Sequence, residues 1–213
     1  MEASLLTGYK YIQNEVKAFL GSFGFKSYKT FILYRTTDND LLQFLSFQKG
    51  ASSLSNQMTI NIVQKGLFAP GCSFDTLQPG NRIGQFAKTE KDKWWYCDDA
   101  NKVQEGVAEI KYILYNSVLP FFEFSKESHN ISELVTADKY AFIWYIPSTF
   151  VDKGYFFLKA GLYKEAIQWW ENHQPSKVPK FKTIKNLISQ EQYSEVNKIL
   201  EENIRMARAR LEI

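Results

Sequence analysis

Between residues 25 and 65, hydrophobic and polar positions alternate in the manner of successive β-strands. Phe25–Arg35 reads as one run, and its second half, Thr30–Arg35, is dense in the aromatic and β-branched residues that suit a pleated, half-buried surface. In Gln57–Lys65 the alternation is clean. Met58, Ile60 and Ile62 point one way; Gln57, Thr59, Asn61 and Lys65 point the other. Leu41–Lys49 differs, because Leu41, Leu45 and Phe47 occupy one face and Leu42 and Phe44 the other. An apolar strand on both faces belongs in the middle of a sheet covered from both sides. Turn residues join the three runs: Thr37-Asp38-Asn39-Asp40, then Gly50 through Asn56. Neither link can hold a crossover helix, so the strands are expected to be antiparallel neighbours.

The period changes to that of a helix on either side. Over residues 4–20, Tyr9, Ile12, Val16, Phe19 and Leu20 make one apolar stripe, with Ser4 or Thr7 as N-cap, Gly21 as the stop and Gly24 at the turn into the sheet. After the third strand, Ala69–Asn81 carries the turn signals of a surface loop. Arg82–Lys88 and Lys93–Cys97 then read as two more strands around the charged turn Thr89–Asp92. Asp98-Asp99 opens the strongest helix of the chain, in which Val103, Val107, Ile110, Leu114 and Val118 recur at helical spacing up to Pro120. A helix directly after such a meander is expected to pack back on one sheet face.

From about Ser128 helical patterns replace strand patterns. Ile131–Val135 and Tyr140–Ile146 come first, and then a repeat. Phe156–His173 aligns with Asn186–Asn203 at a constant offset of about 30 residues, pairing Tyr163 with Tyr193, Ala166 with Val196 and Trp170 with Leu200. Each copy reads as the end of one helix, a tight turn and the start of the next, with Gly161 closing the first helix. Gln174–Lys182, with Pro175 and Pro179, links the copies. The L-x-x-G-x-Y-x-x-A-I run of the first copy resembles a tetratricopeptide-type hairpin. The shorter period and the second copy's lack of the glycine limit this to helical hairpins, not a true array.

A second resemblance covers roughly residues 5–125. It is carried by the order of Gly24-Phe25-Lys26, Phe31-Ile32-Leu33-Tyr34-Arg35, Phe47-Gln48-Lys49, Thr59-Ile60-Asn61, Arg82-Ile83-Gly84, Lys93-Trp94-Trp95 and Leu119-Pro120-Phe121-Phe122. In that order the segment resembles the bacterial domain of unknown function 4304 family. The resemblance implies an α+β domain and no established activity.

Composition narrows the function classes. A net charge of +3, with neither half forming a basic arm, does not argue for nucleic acid. Cys72 and Cys97 form no CxxC pair and read as reduced thiols of a cytosolic protein. The start of the chain lacks the layout of a signal peptide, and its densest apolar run is too short for a bilayer, so a cytoplasmic protein without membrane contact is expected. His129, in a polar linker, and His173, at a helix end, are the sole histidines. With two widely spaced cysteines they offer no metal set, no catalytic constellation and no cofactor site. Neither a Walker-type loop nor G-x-G-x-x-G is present. Lys177, Lys180, Lys182 and Lys185 around Phe181 read as a solvated linker rather than a phosphate-binding patch. The last helix carries Arg205, Arg208 and Arg210, which suit the negative end of its dipole.

The expected architecture is α+β. Residues 1–125 form a leading helix, an antiparallel sheet of four or five strands and a long helix on one face; residues 126–213 form a helical part with two hairpin repeats. The surface residues singled out are Arg35, Gln48, Asn61, Arg82, Trp94 and Trp95. Arg beside Trp is the composition of an interface anchor, and adjacent tryptophans on a strand point to opposite faces. The functional expectation is a non-enzymatic protein-interaction module with an unidentified protein partner, toxin neutralisation being one specific form. The alternative is a small-molecule-binding or weakly enzymatic domain using the polar face of the sheet.

Overall fold

A computed structural model of the 213-residue chain describes residues 2–74, 81–87, 92–124, 150–173 and 175–213. The fold is α+β, with an antiparallel sheet, a leading helix and a helical C-terminal part. The chain divides into two compact units that interleave in sequence. One holds Met1–Thr36, Gln43–Val63 and Pro79–Glu123; the other holds Thr37–Leu42, Gln64–Gln78 and Phe124–Ile213.

The first unit opens with α1 (Glu2–Gly21). Ile12, Val16 and Leu20 are fully buried, as the stripe predicts. The helix starts earlier than expected, at Glu2, so Ser4 and Thr7 fall inside its range rather than at its start. Gly24 turns the chain at φ +81°, a conformation that costs a residue with a Cβ.

The run Phe25–Arg35 is not one strand. It folds into a hairpin of β1 (Lys26–Tyr28) and β2 (Ile32–Thr36), with Tyr28 opposite Ile32 and Lys26 opposite Tyr34. The turn needs Lys29 at φ +55°. Nothing in the apolar pattern marks it, because lysine is an uncommon choice for a left-handed position. Next come β3 (Leu41–Lys49) and β4 (Gln57–Gly66), joined through a short 3-10 turn at Ser52–Leu54. Leu41–Phe47 is buried without interruption, as a central strand should be. Two strands of two residues, β5 (Asn81–Arg82) and β6 (Trp95–Tyr96), both pair with β4, so the sheet order is β1-β2-β3-β4 and then this shared edge. The expected strand at Arg82–Lys88 thus stops after Arg82 and gives way to a short helix, α2 (Ile83–Phe86), while Lys93–Cys97 contributes only its centre.

Asp99 caps α3 (Ala100–Ile113), its carboxylate accepting the Lys102 N–H at 2.9 Å. Gly106 of α3 lies against the Trp95 ring, and Trp95 pairs with Met58 in the sheet. The helix therefore covers the face that carries Met58, Ile60 and Ile62, all at most 2% exposed. Lys111 of α3 reaches Glu15 of α1 at 2.7 Å. The helix does not end at Pro120. A π-turn at Leu114–Val118 leads into α4 (Leu119–Phe124), which contains that proline. Proline lacks a donor and crowds the carbonyl four residues back; a wide turn just before it shifts the hydrogen-bond register that proline would otherwise break.

In the second unit, α5 (Phe150–Lys159), α6 (Tyr163–Glu171), α7 (Phe181–Ser189) and α8 (Tyr193–Leu211) realise the predicted repeat. The Tyr163 and Tyr193 rings stack at 4.4 Å. Trp170 is fully buried, edge-on to Tyr155 at 5.1 Å, and packs so closely on Gly154 that a Cβ there would lie 2.2 Å from its ring. The β2–β3 turn and the segment after β4 belong to this core. Asp40 binds Lys159 at 2.9 Å and Arg208 at 3.3 Å, the Asn203 amide donates to the Phe68 carbonyl at 2.9 Å, and Arg210 donates to the Cys72 carbonyl at 3.4 Å. Arg208 and Arg210 thus make tertiary contacts beyond the dipole role expected of them. The helical readings at Ile131–Val135 and Tyr140–Ile146, and His129, lie outside the described residues. No helix among the described residues is long and apolar enough to cross a membrane.

Candidate functional site

Four of the six residues singled out by sequence meet at one edge of the sheet in the first unit. Asn61 of β4 sits opposite Arg82 of β5, and its amide donates to Gln48 Oε1 of β3 at 3.1 Å. The Arg82 backbone N–H is held by Gln85 Oε1 at 3.0 Å, which fixes the start of α2. The Arg82 guanidinium lies 4.8 Å from the centre of the Trp94 ring. Asp92 ties the pair together, with one oxygen on Arg82 Nε at 3.2 Å and the other accepting the Trp94 indole N–H at 3.1 Å. The Asp92 side chain is 52% exposed and that of Arg82 25%, so solvent screens this ion pair; it orients the two groups more than it stabilises the fold.

The floor of this edge is buried. Thr59, two residues before Asn61 and on the same face, is fully buried, and Asn61 is 5% exposed. The polar sheet face is therefore covered at Thr59 and Asn61 and open at Gln48 and around Arg82 and Trp94. Two buried polar atoms here, Thr59 Oγ1 and Arg82 Nη1, have no hydrogen-bond partner among the described residues. Such atoms are costly in a folded chain and point to a missing acceptor or donor.

Arg35 and Trp95 lie elsewhere, with different roles. Arg35 is 6% exposed and part of the core. Its guanidinium donates to Gln43 Oε1 at 2.8 Å and the Phe23 carbonyl at 2.9 Å, pairs with Glu123 at 2.9 Å, and rests 4.7 Å from the Phe25 ring. Burial lowers its pKa, against the opposing pull of Glu123. Gln43 in turn donates to the Phe122 carbonyl at 2.9 Å, so the group joins the first hairpin, the central strand and α4. Trp95 points to the opposite face from Trp94, as the alternation requires. It is 5% exposed, and its indole donates to Glu109 Oε2 at 2.9 Å. Burial raises the Glu109 pKa, but hydrogen bonds from Lys93 and Trp95 outweigh it and hold the carboxyl below its ordinary range.

Sequence reasoning missed Asp92, Gln43, Glu109 and Glu123. Asp92 lay inside what read as a turn; only its place two residues before a tryptophan hinted at a side-chain contact. Gln43 is a polar residue in an otherwise apolar run, and that break in pattern is the signal by which it could have been found.

Among the described residues, both cysteines and His173 are held in structural arrangements. Cys72 and Cys97 are buried free thiols, pushed by burial up to about 12 and about 11. His173 stacks on Trp169 at 3.9 Å, and its Nδ1 is bonded to the Trp169 carbonyl at 2.7 Å. Lys185 pairs with Glu171 at 2.5 Å. Among the described residues no group of three or more His, Cys, Asp or Glu is placed to hold a metal ion. At the Arg82–Trp94 edge, a partly exposed cation lies over an aromatic ring. No family model, curated protein or solved structure matches the chain.

Proposed function

We propose that this protein is a non-enzymatic protein-interaction module and that the edge formed by Gln48, Asp92, Arg82 and Trp94 is its contact surface. The observation that carries this reading is the Arg82–Asp92–Trp94 arrangement. It presents a stacked arginine and a half-buried tryptophan, the side chains that most often anchor interfaces, in a fixed orientation and at partial exposure. Fixing both groups beforehand lowers the entropy cost of ordering them on binding. The resemblance of residues 5–125 to the unknown-function family adds an α+β fold and no activity to this reading. Toxin neutralisation is one form such a module takes, offered by analogy with other small bacterial α+β domains.

The test is affinity capture from the source lysate, with wild-type protein beside Arg82→Ala and Trp94→Ala variants of unchanged melting temperature. One protein co-eluting stoichiometrically with the wild type and lost from both variants supports the module. A partner retained equally by all three removes this edge from consideration.

A second reading has its own support. The partly exposed Arg82 guanidinium beside the Trp94 ring suits a small anionic ligand, such as a carboxylate or phosphate. Thermal shifts against carboxylate and phosphate metabolites then rise with concentration and vanish in Arg82→Ala. A flat panel excludes it.

A further inference from the structure

A second recess in the first unit lies where α1 crosses the junction between β6 and α3. Its volume is about 410 Å³, within the range of small-molecule sites. Gly8 of α1 forms one side, and a Cβ there would fall 2.1 Å from the Cys97 carbonyl oxygen, so the two backbones are in close contact. Cys97 and Val103 form an apolar floor, the 44%-exposed ring of Tyr11 a wall, and Asp98 and Asp99 stand at the rim. Burial pushes the Cys97 thiol up to about 11, so the floor is neutral near pH 7.

The two carboxylates stand at the N-terminus of α3 and are oriented there without an ion pair among the described residues. Asp98 Oδ2 accepts from the Asn56 amide at 2.8 Å and Asp99 Oδ1 from the Lys102 N–H at 2.9 Å. Their other oxygens make no hydrogen bond or ion pair among the described residues. The nearby cations rest on aromatic rings, and the Lys49 charge also reaches Cys97. The Lys102 ammonium lies 4.5 Å from the centre of the Tyr96 ring, and that of Lys49 4.5 Å from the centre of Tyr9. The recess thus combines an apolar floor, a π wall and two fixed negative charges at its mouth.

We propose that this recess binds a protonated amine carried on an apolar stem, the stem against Val103 and Cys97 and the ammonium between Tyr11 and the two carboxylates. Aromatic faces and paired carboxylates both attract such a cation, and the apolar floor rejects a fully hydrated metal ion. The inference does not rest on the Arg82–Trp94 edge.

The experiment is an amide-resolved NMR titration of the full chain at pH 7 with benzylammonium, benzyl alcohol and benzoate. Benzylammonium should shift the amides of Gly8, Asp99, Ala100 and Val103 saturably and bind at least about tenfold more tightly than benzyl alcohol, with benzoate excluded. Asp98→Asn with Asp99→Asn keeps a capping side chain at residue 99, since asparagine also caps helices. That variant should lose about tenfold in benzylammonium affinity and leave benzyl alcohol unchanged. Acetyl-lysine methylamide separates two sources of the cation: tighter binding than benzylammonium assigns a partner's lysine, weaker binding a free amine. Equal binding of the alcohol and the ammonium, an unchanged affinity in the double variant, or no saturable shift at these amides overturns the proposal.

Discussion

Two arginines singled out by the same reasoning have opposite fates in the first unit. Arg35 lies in the core, bonded to Gln43, the Phe23 carbonyl and Glu123. Arg82 stands at the sheet edge, stacked on Trp94 and held by a solvent-exposed aspartate. The chemistry of the side chain is the same. What differs is exposure: the Arg35 side chain is 5% exposed, held by the Phe23 carbonyl and Gln43 beside a half-exposed Glu123, whereas Arg82 is 25% exposed and its partner Asp92 52%. The tryptophan pair repeats the lesson, Trp95 being packed against α3 and Trp94 half-open. An arginine or tryptophan is free to meet a partner only where the fold leaves it exposed.

The largest expected separation between the two regions comes from the tryptophans. Trp95→Ala should cost about 3–5 kcal/mol in urea unfolding, because it empties a packed site beneath α3 and leaves Glu109 without one donor. Trp94→Ala should cost about 1 kcal/mol or less, being partly exposed. Equal losses would break the comparison. The arginines come next. Arg35→Ala should destabilise by about 3 kcal/mol, since Gln43 loses its buried partner while Glu123, 48% exposed, can turn to water. Arg82→Ala should cost under about 1 kcal/mol. The smallest effect is the sharpest test of the edge. Thr59→Val removes a buried hydroxyl without a partner and should leave stability unchanged or raise it by up to about 1 kcal/mol. A loss of more than that would mean the hydroxyl is bonded.

Alkaline titration examines the region behind Trp95 separately. The Cys97 thiol donates to the Trp95 carbonyl at 3.7 Å, and burial first, then the Asp98 charge, raises its folded pKa to about 11, against an ordinary value near 8.5. A raised pKa means that the unfolded chain ionises first. The thiol's contribution is complete below about pH 8.5 and is lost as pH rises toward 11. Urea midpoints over that range should therefore fall less steeply for Cys97→Ala than for the wild type. Parallel slopes would show that the thiol is not protected in the folded state.

Much of the fold was legible because it depends on local period. The stripe of α1, the capped start of α3, the uninterrupted apolar run of β3 and the alternation of β4 all follow from residues within a few positions of one another. The hairpin repeat was legible for the same reason, including its variation. Gly161 closes α5 at φ +76°, and Glu191 takes the equivalent place after α7 at φ +55° with the same backbone bonds: Gly161 to Leu158 and Leu162 to Phe157, Glu191 to Ile188 and Gln192 to Leu187. The neighbouring helices impose that turn even where the residue does not favour it. The misreadings have the same cause in reverse. Lys29 turns a chain whose pattern runs straight through it, and Pro120 stays helical behind a π-turn, because pairing and packing beyond the local window outweighed the local preference. At the candidate site, residue types could name Arg, Trp and Asn but not their use. Asp92 has no period to betray it, and the burial of Arg35 depends on Phe23, Gln43 and Glu123 converging from three separate stretches of chain.

The sequence by itself did not determine the split of Phe25–Arg35 into two strands or the helix that follows Arg82, but it determined the places of α1, β3, β4 and α3, that the sheet is antiparallel, that Trp94 and Trp95 face opposite ways, and that a helical hairpin is used twice. These follow from side-chain periodicity and turn chemistry, which are properties of neighbours along the chain. Only the tertiary structure decided that β5 and β6 share one edge of β4, that Arg82 is partly exposed while Arg35 is buried, and that Gly8 and Tyr11 of α1 line one recess with Asp98 and Asp99. Those outcomes depend on which distant groups satisfy a buried donor or fill a space, and a hydrogen bond or a void between residues far apart in sequence leaves no periodic trace.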